Sequence, residues 1–162
     1  MTTPRGLSVR AMPWIMLAAL AVAAPLAWRW SVGSAKDPEG FETSLASATA
    51  RAAKEGKPVF AVATATWCGP CQNLKRDSLS DPEVLRLIGE HAVPVMVDVD
   101  KDREGAVALR VRGIPLTAVV VDGRIVARLE GYQPPGAYRS FVEAALDLAK
   151  NPEEAVRATG PR

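Results

Sequence analysis

The stretch Thr66-Trp67-Cys68-Gly69-Pro70-Cys71 constrains this chain more than any other. It holds both cysteines of the protein, two residues apart, directly after an apolar run and directly before a helical one. A pair at that spacing closes into a small disulfide ring or opens to a dithiol, and reads either as half of a metal site or as a redox couple. Structural zinc takes about four N or S ligands, and beyond this pair the chain offers a single histidine, His91. No metal is therefore expected, apart from the softer two-coordinate Cu(I) site that two thiolates alone can make. A plain structural staple is the simplest alternative. Gly69 and Pro70 between such close cysteines, at the start of a helix, suit reversible chemistry better, and no cofactor is implied.

At 162 residues the chain has room for one domain plus extras. Residues 1–12 are polar and basic, with Arg5 and Arg10 and no acid; an uncharged run from Trp14 to Trp28 follows, with Trp30 just beyond. Two readings compete. Ala21-Val22-Ala23 offers the small residues at which a signal peptide is cut, whereas a membrane anchor wants about 17–25 apolar residues, and this run is at the short limit. Pro25 just past the candidate cut and the apolarity through Trp28 favour an uncleaved helix, with Trp14, Trp28 and Trp30 as interfacial aromatics. The expectation is an anchor through residues 14–30 that keeps the start in the cytoplasm and exports the rest to the periplasm or another extracytoplasmic space. Secretion after cleavage is the alternative. The formal charge of +2 belongs to this leader, since Arg5, Arg10 and Arg29 lie in it; from Ser31 onward 17 Lys and Arg face 18 Asp and Glu. Nothing here supports a nucleic-acid surface.

Residues 31–40 read as a polar linker bearing Gly and Pro. A helix is expected over Phe41–Lys54, stopped by Gly56 and Pro58. Val59–Thr64, apolar on both faces and partly β-branched, reads as a central parallel strand. The cysteine motif opens a helix to about Asp77, and Ser80-Asp81-Pro82-Glu83 starts a second. Ala92–Val99 is a further strand and Arg103–Leu109 a short helix. Leu116–Val121 and Arg124–Leu129 are strands joined by the hairpin signal Asp122-Gly123. A last helix starts at Pro134-Pro135 and runs to about Ala149, with Tyr138, Phe141, Val142, Ala145 and Leu146 inward, and residues 150–162 read as a flexible tail. This is an α/β order: a mixed central sheet with helices on both faces, parallel at first and antiparallel at the end.

Trp67-Cys-Gly-Pro-Cys71 after a buried strand, Gly113-Ile-Pro115 about forty residues later and a hairpin beyond it together resemble the thioredoxin superfamily, over about residues 41–149. A Cys-x-x-Cys pair beside a strand–helix–strand pattern is a general sign of that fold. Gln72 to Val84 breaks into two short helices, which is similar to the exported thioredoxin-like group that includes the C-terminal domain of DsbD-type thiol:disulfide interchange proteins.

The resemblance implies a thioredoxin fold and roles for particular residues. Cys68 would be the attacking nucleophile, its thiolate favoured by the free N–H groups and dipole of a helix start. Cys71, one turn further in, would be the buried resolving thiol. Gly69 would let the client chain approach, and Pro70 would preset the first turn where no N–H is needed. Trp67 would flank the client, with simple packing against the domain equally open. Pro115 matches the family's cis-proline, after which Ile114 would pair with an extended client strand; a trans proline starting a strand is the alternative. Gly131-Tyr132 matches the third loop of the client groove, although Tyr132 reads equally well as a rim residue.

The departures matter as much. Family members carry a buried Asp six residues before the first cysteine, paired with a Lys on the next strand; here these positions are Val62 and Met96. Asp98 and Asp100 are candidate bases only by nearness, and solvated strand-end acids are the plainer reading. His91 sits where a cation meets a helix C-terminus, and Arg103, Arg110 and Arg112 read as a solvated face. The expected protein is a monomeric, membrane-tethered thiol:disulfide oxidoreductase, of the protein-disulfide reductase or electron-relay kind. It would act on protein disulfides and draw electrons from an upstream membrane donor. A disulfide oxidase or isomerase, or a Cu(I) metallochaperone module, are the alternatives.

Overall fold

Why Val59–Thr64 becomes the middle of the molecule follows from its side chains, which are apolar in every register and so need cover on both faces. In the computed structural model, which describes residues 35–151, this segment is β1 (Val59–Thr64) and all six residues are buried. The other elements, in chain order, are α1 (Leu45–Glu55), α2 (Gly69–Asp77), α3 (Pro82–His91), β2 (Val93–Asp98), α4 (Arg103–Ala108), β3 (Leu116–Val121), β4 (Arg124–Glu130) and α5 (Pro135–Lys150). Among the described residues four strands make one sheet, in the order β2-β1-β3-β4. β1 runs parallel to β2, and both β1–β3 and β3–β4 are antiparallel. The mixed sheet expected from the helical crossover and the tight hairpin is therefore present. At the hairpin both Asp122 (φ 49°) and Gly123 (φ 76°) take left-handed backbone, as a two-residue turn between twisted strands requires.

Alternate residues of β1 point to opposite faces. Phe60 and Val62 join Leu74 of α2, Val84 and Ile88 of α3, Met96, Val119, Val126, and Tyr138, Val142, Ala145 and Leu146 of α5 in one core. Val59, Ala61 and Ala63 join Ala48 and Ala52 of α1, Val93, Val95 and Val97 of β2, and Leu109, Leu116 and Ala118 in the other. The small alanines of β1 let α1 lie close on that face. Of the side chains expected inward on α5, all but the partly buried Phe141 are buried.

One element start differs from the sequence expectation by about a helical turn. The first helix starts at Leu45, not Phe41, because Glu42 pairs in parallel with Val95 at the free edge of β2. Its N–H reaches Pro94 O and its carbonyl accepts from Met96 N, both at 2.9 Å. The residues before it lie on α2: Ala35 N–H donates to Gln72 Oε1 at 2.7 Å, and Asp37 pairs with Lys75 at 2.6 Å. The proposed anchor, residues 14–30, lies outside the described residues, and among these no helix is long and apolar enough to cross a membrane.

Candidate redox site

β1 ends at Thr64, and the chain turns through Ala65 and Thr66 straight into α2, so the motif lies at the C-terminal edge of the sheet. Cys68 is the N-cap of α2 and Pro70 stands in its first turn. A capping residue presents its side chain to the orphan N–H groups of the first turn, and here that side chain is a sulfur: Cys71 N–H donates to Cys68 Sγ at 3.2 Å. The two cysteines are joined by a disulfide, with their Cα atoms 5.2 Å apart. Cys71 is 1% exposed and Cys68 5%, while the neighbouring Trp67 is 70% exposed. Gly69 and Pro70 are exposed beside it. Cys68 is thus the less deeply buried of the two sulfur-bearing residues, beside the exposed Trp67, and Cys71 lies behind it.

Ile114 and Val99 cover the disulfide together with Ala65. The Ile114–Pro115 peptide is cis, as the resemblance implied. Pro115 O accepts from Gly131 N at 2.8 Å, so the loop carrying Gly131 and Tyr132 is joined to the cis-proline. Tyr132 itself is turned to the far end of α2, where its hydroxyl donates to Asp77 Oδ2 at 3.0 Å. That carboxylate holds the Tyr132 phenol above its ordinary pKa. The structure brings Trp67, Cys68, Gly69, Pro70, Cys71, Ile114 and Pro115 together and does not bring the Tyr132 side chain to them, since its hydroxyl is held at the other end of α2.

Trp67 is not packed down on the domain. Its indole N–H donates to Asp100 Oδ2 at 2.8 Å, which holds the ring out as a wall. Asp98 accepts from Asp100 N at 3.0 Å and pairs with Lys101 at 3.1 Å. Both strand-end acids thus have partners other than the cysteines. Val62 lies opposite Met96 on one side and Thr117 on the other, and all three are buried. Where the resemblance implied a buried ion pair, this chain has Val62 and Met96, and a buried polar contact lies on the neighbouring strand: Thr117 Oγ1 and Tyr138 OH are 3.0 Å apart. Burial pushes the Tyr138 phenol far up, so it stays neutral.

Gln72 is the site residue that the sequence pattern did not single out. It is buried, and its amide N–H groups reach the carbonyls of Ala65 and Thr66, both at 3.3 Å. Its Oε1 takes the Ala35 N–H. It ties the turn before Cys68 to the helix after it. A polar residue on the second turn of a helix carries no sequence signal of such a role, because its partners are backbone groups.

A helix-capping cysteine, a buried second cysteine one turn on and a cis Ile114–Pro115 bond whose Ile114 packs on them define a thiol:disulfide oxidoreductase of thioredoxin type. The comparisons agree: the family model described as a thioredoxin-like domain matches residues 45–146, and the chain belongs to that family. The chain is 31% identical over 97 residues to the chloroplastic thioredoxin Y of Oryza sativa subsp. japonica, a match covering 60% of this chain and 56% of that protein. It is 32% identical over 85 residues to the thioredoxin of Staphylococcus saprophyticus, covering 51% of this chain and 76% of that one. The solution structure of a thioredoxin from Thermus thermophilus superposes with a TM-score of 0.61 at 27% identity, over 68% of this chain and 90% of that chain. A structure of the DsbH oxidoreductase shares the fold, with a TM-score of 0.59 at 23% identity over 71% of this chain and 88% of that one.

Proposed function

We propose that the protein is a membrane-tethered, exported protein-disulfide reductase or electron relay. The observation that carries the redox part is Cys68 capping α2 beside an exposed Trp67, with Cys71 shut in behind it. In the reduced protein the Cys68 thiolate attacks one sulfur of a client disulfide, that S–S bond breaks, and the departing client sulfur takes a proton. Cys71, losing its proton, then attacks the Cys68 sulfur and releases the second client thiol. The protein ends as the disulfide and the client as a dithiol, with two electrons passed. Regeneration needs a dithiol or membrane electron donor on the same side of the membrane.

The tether and export rest on Arg5 and Arg10 ahead of an uncharged run that ends in aromatics. The reducing direction rests on the Gly-Pro insert, which resembles that of reducing family members. Cys71→Ser tests the exchange, because it leaves no thiol to resolve the first adduct. Cells expressing the variant accumulate a reductant-sensitive mixed disulfide through Cys68, absent when Cys68 is also replaced. No adduct in membrane or extracytoplasmic fractions would sink the reading.

A further inference from the structure

Beside the disulfide lies a groove of about 570 Å³. Its walls are Trp67 on one side and α4 with the loop after it on the other, and Val99 and Ile114 reach from it to the cysteines. The surface it offers is mostly apolar, and Val107 on α4 is 77% exposed. Arg110 and Arg112 line the same groove. Neither side chain has an ion-pair or hydrogen-bond partner among the described residues, and both residues are exposed.

No carboxylate pairs with either of them among the described residues: Asp100 takes the neutral Trp67 indole N–H and keeps its charge on that wall, and Glu130 pairs with Arg128 at 2.8 Å. Arg110 is the residue just past the end of α4, in left-handed backbone at φ 52°, with its N–H on Val107 O at 2.9 Å and Val111 N–H on Ala106 O at 3.0 Å, the usual way a helix ends. Arg128 braces it: its guanidinium donates to Leu109 O and Arg110 O, both at 3.0 Å. The fold thus places two cations, unpaired among the described residues, on the wall of an apolar groove that reaches the cysteines through Val99 and Ile114.

We infer that this groove selects client segments in which an apolar residue next to the reactive cysteine is flanked by Asp or Glu. This rests on the oxidoreductase reading above and adds the client's chemistry to it. Charges at an interface rim act on encounter and partner choice, so the preference is one of rate and falls with salt.

The test uses the pre-reduced full chain, freed of reductant, in single-turnover reactions. The substrates are synthetic peptides carrying one cysteine in a mixed disulfide with a chromogenic thiol and one leucine beside it. They are flanked by Glu, Gln or Lys. At low ionic strength the Glu peptide reacts roughly fivefold to tenfold faster than the Lys peptide, the effect of about two exposed charge pairs. That ratio shrinks in high salt. In Arg110→Asn/Arg112→Gln the ratio falls to near one; Asn tolerates the left-handed backbone at position 110. Arg112→Glu turns the ratio toward the Lys peptide, which a merely structural role would not do. Equal rates for all three peptides, or a ratio that survives the double substitution, overturn the selection alone. A chain that reduces none of them, no faster than its Cys68→Ser variant, overturns the oxidoreductase reading and the selection with it.

Discussion

The Cys68 sulfur is both a helix cap and the atom a client would meet, and the two roles draw on the same backbone N–H of Cys71. Thiolate forms at helix N-termini are favoured by such donors and by the helix dipole, so the local fold and the reactivity have one cause. Val62 stands where the resemblance implied a buried carboxylate, and the neutral pair Thr117–Tyr138 is a buried polar contact on this face of the sheet, which also carries the buried Thr64. Removing one member leaves the other unsatisfied in a dry core, which costs more than removing both. Tyr138→Phe is predicted to lose about 1–2 kcal/mol in chemical denaturation. Adding Thr117→Val should recover most of it, because no orphan hydroxyl then remains. A double variant no more stable than Tyr138→Phe alone would contradict this.

The elements that carry the site are held by a few polar ties. Asp102 caps α4, accepting from Gly105 N at 2.9 Å, and its other oxygen takes Leu45 N at 2.8 Å, so it joins α4 to the start of α1. A Cβ at Gly105 would lie 2.4 Å from that carboxylate, so only glycine leaves room for the cap. On α2 the Lys75 side chain is 7% exposed and meets Asp37. Asp37→Ala leaves that cation without its partner, and a loss of about 1–2 kcal/mol is expected in thermal or urea unfolding. Lys75→Met should destabilise less, since it removes the buried charge as well. At α3, Asp81 caps the helix through Glu83 N and meets Arg139 of α5. Arg139 above all, then the backbone N–H, holds its carboxyl below the ordinary value of 3.8. A carboxyl depressed in the folded state adds stability that is complete above its unfolded value and fades as pH falls through the folded one. The melting temperature should therefore drop as pH falls through 3.8 and below. Asp81→Asn should show a shallower drop across that window; an unchanged slope would remove Asp81 from the acid response.

What a reader of the sequence can see depends on whether the cause is local. β1, the motif, the Asp122-Gly123 turn and α5 are legible because apolar periodicity and turn chemistry lie within a few residues. The cis-proline and the roles of Cys68 and Cys71 followed from family resemblance rather than from pattern. The pairing of Glu42 with β2 and the contacts of Ala35 and Asp37 with α2 were not legible, since their partners lie far along the chain and the segment's composition is that of a linker. Arg110 and Arg112 read as a solvated face until the fold set them beside Trp67. On the proposed reading, a leader that brings all the net positive charge would hold this domain away from cytosolic reductants, which makes the direction of electron flow the question on which the function turns. Equilibrating the Cys68–Cys71 pair of the full chain against glutathione and dithiothreitol buffers measures it. A reductase or relay should lie below the glutathione couple by more than about 30 mV, a tenfold change in the two-electron equilibrium constant. A value that far above the couple would contradict the reducing role and make the protein an oxidase or isomerase on the same fold.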